Sequence, residues 1–120
     1  MDTIHVCLNV SDADRLAEWY AENLGFERSW EFTADGARNV YVADSNGFEL
    51  QLSDSDGEER FEAGTAWDHL AVTVDDVDET VETVDHHGVV QAPADQPEAD
   101  ARTAFVEDPD GHVVEFVQPL

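Results

Sequence analysis

Four segments in the first half of the chain have the pattern of hydrophobic and polar residues that fits a β-strand. They are residues 5–10, 26–32, 39–43 and 48–52. Between the first two, apolar residues recur from Leu16 to Leu24 at the spacing of a helix with one buried face. Ser11, followed by Asp14, is predicted to cap the start of this helix, and Gly25 is predicted to end it. The predicted order of elements is therefore βαβββ.

The second half of the chain repeats the first at an offset of 64 residues. Three pairs of segments match at this offset: 5–10 with 69–74, 44–47 with 108–111, and 51–52 with 115–116. Asp76 and Glu79 repeat the capping pattern of a helix that Gly88 is predicted to end. Further strands are predicted over residues 103–106 and 112–117.

A repeat of this length corresponds to one supersecondary unit. The chain is therefore predicted to be a single α+β domain of two βαβββ modules, residues 1–55 and 66–120. A polar linker near residues 54–65 is predicted to join them, because Ser, Asp, Gly and Glu dominate there and regular patterning lapses.

The net charge is strongly negative, since 29 acidic side chains stand against five arginines and no lysine, which gives −24 at pH 7. Phosphate backbones and anionic membrane surfaces would repel such a chain, so we expect neither nucleic acid nor membrane as a partner. No apolar segment is long enough to span a bilayer. The acids are spread along the chain, which indicates an acidic coat adapted to a cytoplasm rich in potassium chloride, with the docking of a basic partner as the alternative.

The hydrophobic fraction, 42%, is high enough for a real core, so disorder is not expected. Cys7 is the only cysteine, which excludes an internal disulfide and favours a reducing, cytoplasmic location.

Polar side chains recur on the face of each module that turns away from the predicted helix. Because side chains alternate along a strand, His5 and Cys7 lie opposite the apolar residues of the first strand. His69 has the same place in the second module. Gln51 and Glu115 lie on the corresponding face of the last strands, so each module presents one imidazole and one amide or carboxylate.

Two imidazoles and two oxygen ligands suit a divalent metal such as Zn²⁺, Ni²⁺, Mn²⁺ or Fe²⁺. A structural zinc site would more often use thiolates, and one cysteine cannot supply them. The sequence therefore predicts a metal site made by His5, His69, Glu115 and an oxygen ligand from the face that Gln51 shares with Glu49, with positions left open for a small-molecule substrate.

The chain resembles the vicinal oxygen chelate superfamily and, within it, the glyoxalase I (lactoylglutathione lyase) enzymes. The resemblance covers essentially the whole chain. The segments that carry it are residues 3–6, 16–25, 62–69 and 104–115. It implies open barrels built from paired modules and commonly completed in a homodimer. In that arrangement the ligands of one site come from two chains.

The resemblance implies that His5, His69 and Glu115 are metal ligands. The fourth is either Glu49, which stands in a familiar Glu-Leu pair, or Gln51, which the internal offset and the spacing to His69 select. We therefore take Gln51. Both lie on one strand face, so a small shift of register would exchange them.

The implied reaction isomerises the hemithioacetal of a 2-oxoaldehyde and a thiol to a 2-hydroxyacyl thioester through a metal-bound enediolate. Glu115 is the predicted catalytic base, because Gln51 cannot ionise. Two departures from the family put glutathione in question as the thiol: Asn9 replaces an arginine and Ser55 replaces an asparagine.

Other activities of the superfamily stay open. A methylmalonyl-CoA epimerase uses a similar ligand set, but the phosphates of its CoA substrate need basic residues. Extradiol dioxygenases usually have longer chains, bleomycin-resistance-type binding proteins usually lack the ligands, and fosfomycin thiol transferases are a further alternative. Trp30 and Trp67 are predicted to pack in the core, with the lining of an interface or pocket as the alternative, and His112 is predicted to be exposed.

Overall fold

The computed structural model describes residues 1–54 and 67–120. The chain divides into two compact units, Met1–Phe61 and Glu62–Leu120. The residues of the predicted linker after Asp54 lie outside the described part. Each unit contains one helix and one four-stranded sheet, as the α+β prediction of two βαβββ patterns requires.

The first unit follows the predicted order of elements. Its elements are β1 (His5–Asn9), α1 (Ala13–Leu24), β2 (Glu27–Ala34), β3 (Ala37–Ala43) and β4 (Glu49–Ser53). The strands lie in the order β1-β4-β3-β2, with β1 parallel to β4 and the other pairs antiparallel. α1 buries Leu16, Trp19 and Tyr20, and the sheet buries Val40 and Leu50 on the face that it shares with the helix.

The second unit has the same topology. Its elements are β5 (Leu70–Thr73), α2 (Val77–Thr83), β6 (Val89–Gln96), β7 (Ala101–Glu107) and β8 (Val113–Pro119), with a 3-10 turn over Pro97–Ala99. The strands lie in the order β5-β8-β7-β6, and β5 is parallel to β8. Val77, Val114 and Phe116 form its buried core with Val106.

The helix starts are set by aspartates. Asp12, not Ser11, is the N-cap of α1, because its carboxylate accepts a hydrogen bond of 3.1 Å from the backbone N–H of Arg15. The prediction of Ser11 was one residue early. Asp76 caps α2 through Glu79 as predicted, and Gly25 ends α1 at φ 72° as predicted.

The end of α2 was predicted wrongly. The helix ends at Thr83, with Val84 as its C-cap, rather than at Gly88. The backbone N–H of His87 instead donates to the carbonyl of Glu107, and the N–H of Glu107 donates to the carbonyl of Gly88. Pairing with β7 therefore takes these residues out of the helix.

Each unit ties the first turn of its helix to the end of its own last strand. The backbone N–H of Ala13 donates to Oδ2 of Asp54 at 3.1 Å, and that of Val77 donates to Oε1 of Gln118 at 2.9 Å. Asp54 and Gln118 are 64 residues apart. Each supplies an acceptor for a backbone N–H that a helix leaves without an internal partner.

An arginine on the third strand of each unit clamps the helix to the sheet. Arg38 bonds Asp14 of α1 at 2.5 and 2.9 Å and Glu31 of β2 at 2.7 Å. At the equivalent place Arg102 bonds Asp78 of α2 at 2.8 and 3.0 Å, and Asp95 of β6 at 3.1 Å. These bonds hold the pKa of Asp14 and of Asp78 below the usual value.

No helix within residues 1–54 and 67–120 has the length and apolar character needed to cross a membrane.

Candidate active site

The face of the first sheet that turns away from α1 carries the polar residues predicted for it. Leu8 of β1 and Val10, directly after it, are buried in the core, whereas Cys7 and Asn9 are exposed and His5 is half-buried. Strand alternation therefore distributes these side chains as predicted.

His69 and Glu115 are in direct contact in the second unit. Nε2 of His69 lies 3.0 Å from Oε1 of Glu115. His69 immediately precedes β5, and Glu115 of β8 is paired in register with Ala71 of β5. Both side chains are partly shielded, with 28% and 17% of their surfaces exposed. The pair is thus held at the edge of the sheet where solutes can reach it.

Asp68 contacts the second nitrogen of the same imidazole. This contact was not predicted from the sequence. Nδ1 of His69 lies 2.5 Å from Oδ2 of Asp68. A carboxylate at Nδ1 fixes which nitrogen carries the proton and leaves Nε2 directed at Glu115. Its position directly before His69 was the available signal, but side chains adjacent in sequence usually point to opposite faces of a strand.

The imidazole of each unit packs edge-on against an aromatic ring of the third strand. His5 meets Tyr41 at a centroid distance of 5.5 Å and an interplanar angle of 89°. His69 meets Phe105 at 5.1 Å and 89°. Tyr41 is paired in register with Gln51, and Phe105 with Glu115. Positions 5, 41 and 51 of the first unit are therefore equivalent to positions 69, 105 and 115 of the second.

Gln51 is oriented by a buried asparagine. Its Nε2 donates to Oδ1 of Asn39 at 2.9 Å, and Asn39, which is 6% exposed, donates in turn to the carbonyl of Ala37 at 3.3 Å. The amide nitrogen of Gln51 is therefore engaged, which leaves its oxygen as the group available to a ligand. Asn39 is a second residue that sequence reasoning missed.

Glu49 has a different environment from Gln51. It is paired in register with His5 across β1 and β4, and its Oε2 accepts a hydrogen bond from Ser29 Oγ. Gln51 is paired instead with Cys7. Although Cys7 is exposed as a residue, partial burial of its thiol raises the pKa of that thiol. Burial, with Cys7 and Glu49 nearby, also raises the pKa of Tyr41.

The family comparison matches residues 3–116 to the Glyoxalase/Bleomycin resistance protein/Dioxygenase superfamily. The chain belongs to this superfamily. The match covers both sheets and both candidate ligand pairs, and it confirms the resemblance inferred from the sequence.

One relative by sequence and two solved structures define the likeness further. The lactoylglutathione lyase of Haemophilus influenzae is 32% identical over 98% of this chain and 93% of its own length. Glyoxalase I from Zea mays has a TM-score of 0.84 at 23% identity, with 97% of this chain and 44% of that chain aligned. The trypanothione-dependent glyoxalase I of Leishmania major has a TM-score of 0.77 at 27% identity, over 98% and 86%.

These likenesses confirm the glyoxalase-like α+β fold and the assignment to the lactoylglutathione lyase-like enzymes. The chain spans less than half of the maize structure, so that likeness is one of fold. The exact activity, the metal and the homodimer stay predictions.

The two candidate ligand pairs of this glyoxalase-like chain are formed separately, one in each unit. Within the described ranges, no group of three or more His, Cys, Asp and Glu side chains could by itself hold a metal ion. His69 and Glu115 contact one another, whereas His5 contacts Tyr41 and Gln51 contacts Asn39. The four-ligand site stays a prediction.

Two predictions outside the ligand set were wrong. Trp30 is 51% exposed on the edge strand β2 and stacks on Tyr41 with ring centroids 4.7 Å apart. His112 is largely buried, since its Nδ1 lies 2.8 Å from Oδ2 of the fully buried Asp108. Trp67 is half-buried, and its Nε1 is buried without a hydrogen-bond partner among the described residues.

Proposed function

We propose that this chain is a metal-dependent glyoxalase I-like enzyme. It isomerises the hemithioacetal of a 2-oxoaldehyde and a thiol to a 2-hydroxyacyl thioester. The observation that carries the proposal is the contact between His69 Nε2 and Glu115 Oε1 beside the carboxylate of Asp68. The relative from Haemophilus influenzae, named as a lactoylglutathione lyase, supports the reaction class.

The donor set of the second unit fits a divalent metal. A nitrogen and an oxygen that are each about 2.1 Å from a metal, at right angles, are roughly 3 Å apart. The distance between Nε2 and Oε1 is 3.0 Å. With Nδ1 protonated toward Asp68, the lone pair of Nε2 faces a carboxylate, and this contact becomes favourable when a cation lies between them. A metal ion would supply that cation.

His5 and Gln51 are the ligands proposed from the first unit. Gln51 is the positional equivalent of Glu115, because each is paired in register with the ring that packs against the imidazole. This equivalence supports Gln51 over Glu49. Because the Gln51 nitrogen donates to Asn39, the Gln51 oxygen is directed away from Asn39 and is available as a metal ligand.

Zn²⁺, Ni²⁺, Mn²⁺ and Fe²⁺ all suit two imidazoles and two oxygen ligands. When bound, such an ion stabilises negative charge that develops on adjacent substrate oxygens. The proposal includes a homodimer and a cytoplasmic location, which are consistent with the superfamily and with a chain that has a single cysteine.

Glu115 is the proposed base. Its carboxylate takes the proton from the carbon that bears sulfur, and the electron pair of that C–H bond forms the double bond of an enediolate. Glu115 then returns the proton to the neighbouring carbon. The hydroxyl proton passes from one oxygen to the other, so the thioester has the same atoms as the hemithioacetal. Gln51 cannot perform this transfer, because an amide does not ionise near neutral pH.

The test combines metal analysis with turnover. Protein purified in molar potassium chloride is analysed for bound metal and then assayed with methylglyoxal and a panel of thiols. Bound divalent metal and thioester formation are the expected results. Turnover of methylmalonyl-CoA alone would replace the proposal with an epimerase, and metal-free protein that binds a small molecule without turnover would replace it with a binding protein.

A further inference from the structure

A cavity of about 350 Å³ opens beside Glu115 within the second unit. Its lining includes Glu115 of β8, Phe105 and Thr103 of β7, Gln91 and Gln96 of β6, and Glu98 of the 3-10 turn. The volume is at the lower end of the range in which proteins bind small molecules. A substrate that reacts at Glu115 therefore has room for a side group in this cavity.

The polar groups of the cavity are amides, a hydroxyl and carboxylates. Gln91 Nε2 donates to Thr103 Oγ1 at 3.4 Å, which holds the amide of Gln91 against β7. Glu98 is exposed on the turn and keeps its negative charge when a metal ion binds Glu115. Its carboxylate attracts an ammonium group and repels a carboxylate at the same distance.

The arginine of β7, Arg102, does not face the cavity. Arg102 precedes Thr103 in β7, and its guanidinium is bound by Asp78 of α2 and Asp95 of β6. These bonds raise the pKa of Arg102 and commit its donors to the helix side of the sheet. The cavity lining thus contains no cationic side chain among the described residues.

We propose that this cavity holds the thiol-derived group of the hemithioacetal and selects a thiol whose tail is neutral or carries an ammonium group over one whose tail carries a carboxylate. The inference rests on the proposed function, since it assumes that the reacting carbons lie at Glu115. Gln91 and Gln96 provide neutral hydrogen bonds, and Glu98 provides the charge preference.

Binding of two inert thioethers tests the cavity without turnover. 2-(Propylthio)ethylamine and 3-(propylthio)propionate differ mainly in the charge at one end, and their dissociation constants are measured by calorimetry on the metal-loaded protein. We expect the ammonium compound to bind at least about tenfold more tightly. The measurement is made at the lowest potassium chloride concentration that keeps the protein folded, and the preference should shrink in 1 M salt.

The variant Glu98→Gln should reduce this preference several-fold, and the variant Glu98→Lys should reverse it. Glu82→Gln is the matched control, because it removes one negative charge from the exposed face of α2, away from the cavity lining. The control should keep the full preference of the wild-type protein.

Equal binding of the two thioethers, or tighter binding of the carboxylate, overturns the inference. An equal loss of preference in Glu98→Gln and Glu82→Gln also overturns it, because the preference would then reflect overall charge. Retained preference without isomerisation of any hemithioacetal would contradict the proposed reaction and leave the cavity's selectivity standing. Isomerisation that is fastest with carboxylate-bearing thiols would contradict the cavity's selectivity and leave the proposed reaction standing.

Discussion

Nε2 of His69 lies 3.0 Å from Oε1 of Glu115, so the proposed base and a proposed metal ligand touch before any substrate binds. Replacing Glu115 by Gln keeps the shape of the side chain and removes its ability to take a proton. We expect kcat for hemithioacetal isomerisation to fall by about 10²- to 10⁴-fold. Circular dichroism should show an unchanged fold. Glu82→Gln serves as the control, and wild-type turnover in Glu115→Gln would refute the assignment of the base.

The choice between Gln51 and Glu49 can be tested by metal affinity. Gln51→Leu should lower the affinity for the native metal at least about tenfold, whereas Glu49→Leu should change it little, because only Gln51 is the positional equivalent of Glu115. Both affinities are measured by titration of the metal-free protein. A greater loss in Glu49→Leu would transfer the ligand role to Glu49.

Asp68 is expected to act through His69 rather than on substrate. Asp68→Asn keeps a side chain of the same size but weakens the interaction that orients Nδ1. We expect metal affinity to fall by about 10- to 100-fold, with little change in thermal stability. If metal affinity is unchanged while stability falls, Asp68 has only a structural role.

The ion pair of Asp14 with Arg38 makes part of the stability depend on pH. Since the pKa of Asp14 is lowered in the folded state, its contribution is complete above the ordinary value of 3.8 and is lost as pH falls through the lower folded-state pKa. Asp14→Asn should therefore lower Tm at pH 7, by an amount that corresponds to less than about 1 kcal/mol for such a half-exposed pair.

The destabilisation by Asp14→Asn should shrink as the pH falls below the folded-state pKa, because the wild-type carboxyl is then neutral too. Asp78→Asn should behave in the same direction, since Arg102 lowers the pKa of Asp78. Differential scanning calorimetry at neutral and acidic pH measures both. A destabilisation that is independent of pH would show that the charge of these aspartates contributes nothing.

The charge of −24 should make stability depend on salt. Screening length falls from about 10 Å at 0.1 M salt to about 3 Å at 1 M, so repulsion among surface acids weakens. We expect Tm to rise steadily with potassium chloride over this range. Sucrose at matched water activity is the control, since it does not screen charge, and a Tm that follows sucrose as closely as salt would contradict the electrostatic cause.

The elements with strong local signals were predictable from the sequence. Strand alternation located β1, β3, β4 and β8, and the 64-residue repeat identified the second unit's equivalents of the first. β6 was implied by the repeat but had no pattern of its own. Pro93 interrupts it, and its pairing with β7 shifts register between Gln91 and Ala94, as an edge strand tolerates.

Other features depended on tertiary contacts that a local pattern does not contain. The end of α2 is set by bonds from residues 87 and 88 to Glu107, which is far away in sequence. The roles of Asp68 and Asn39 likewise follow from where their partners lie in space. The sequence pattern could identify the residues of the candidate ligand pairs, but not the groups that orient them.

The bonds from Asp54 to Ala13 and from Gln118 to Val77 close each helix onto a strand of its own unit. Dividing the chain between the two units would therefore leave both of these closures intact. We expect each half, expressed as a separate polypeptide, to keep its own bond between helix and strand end.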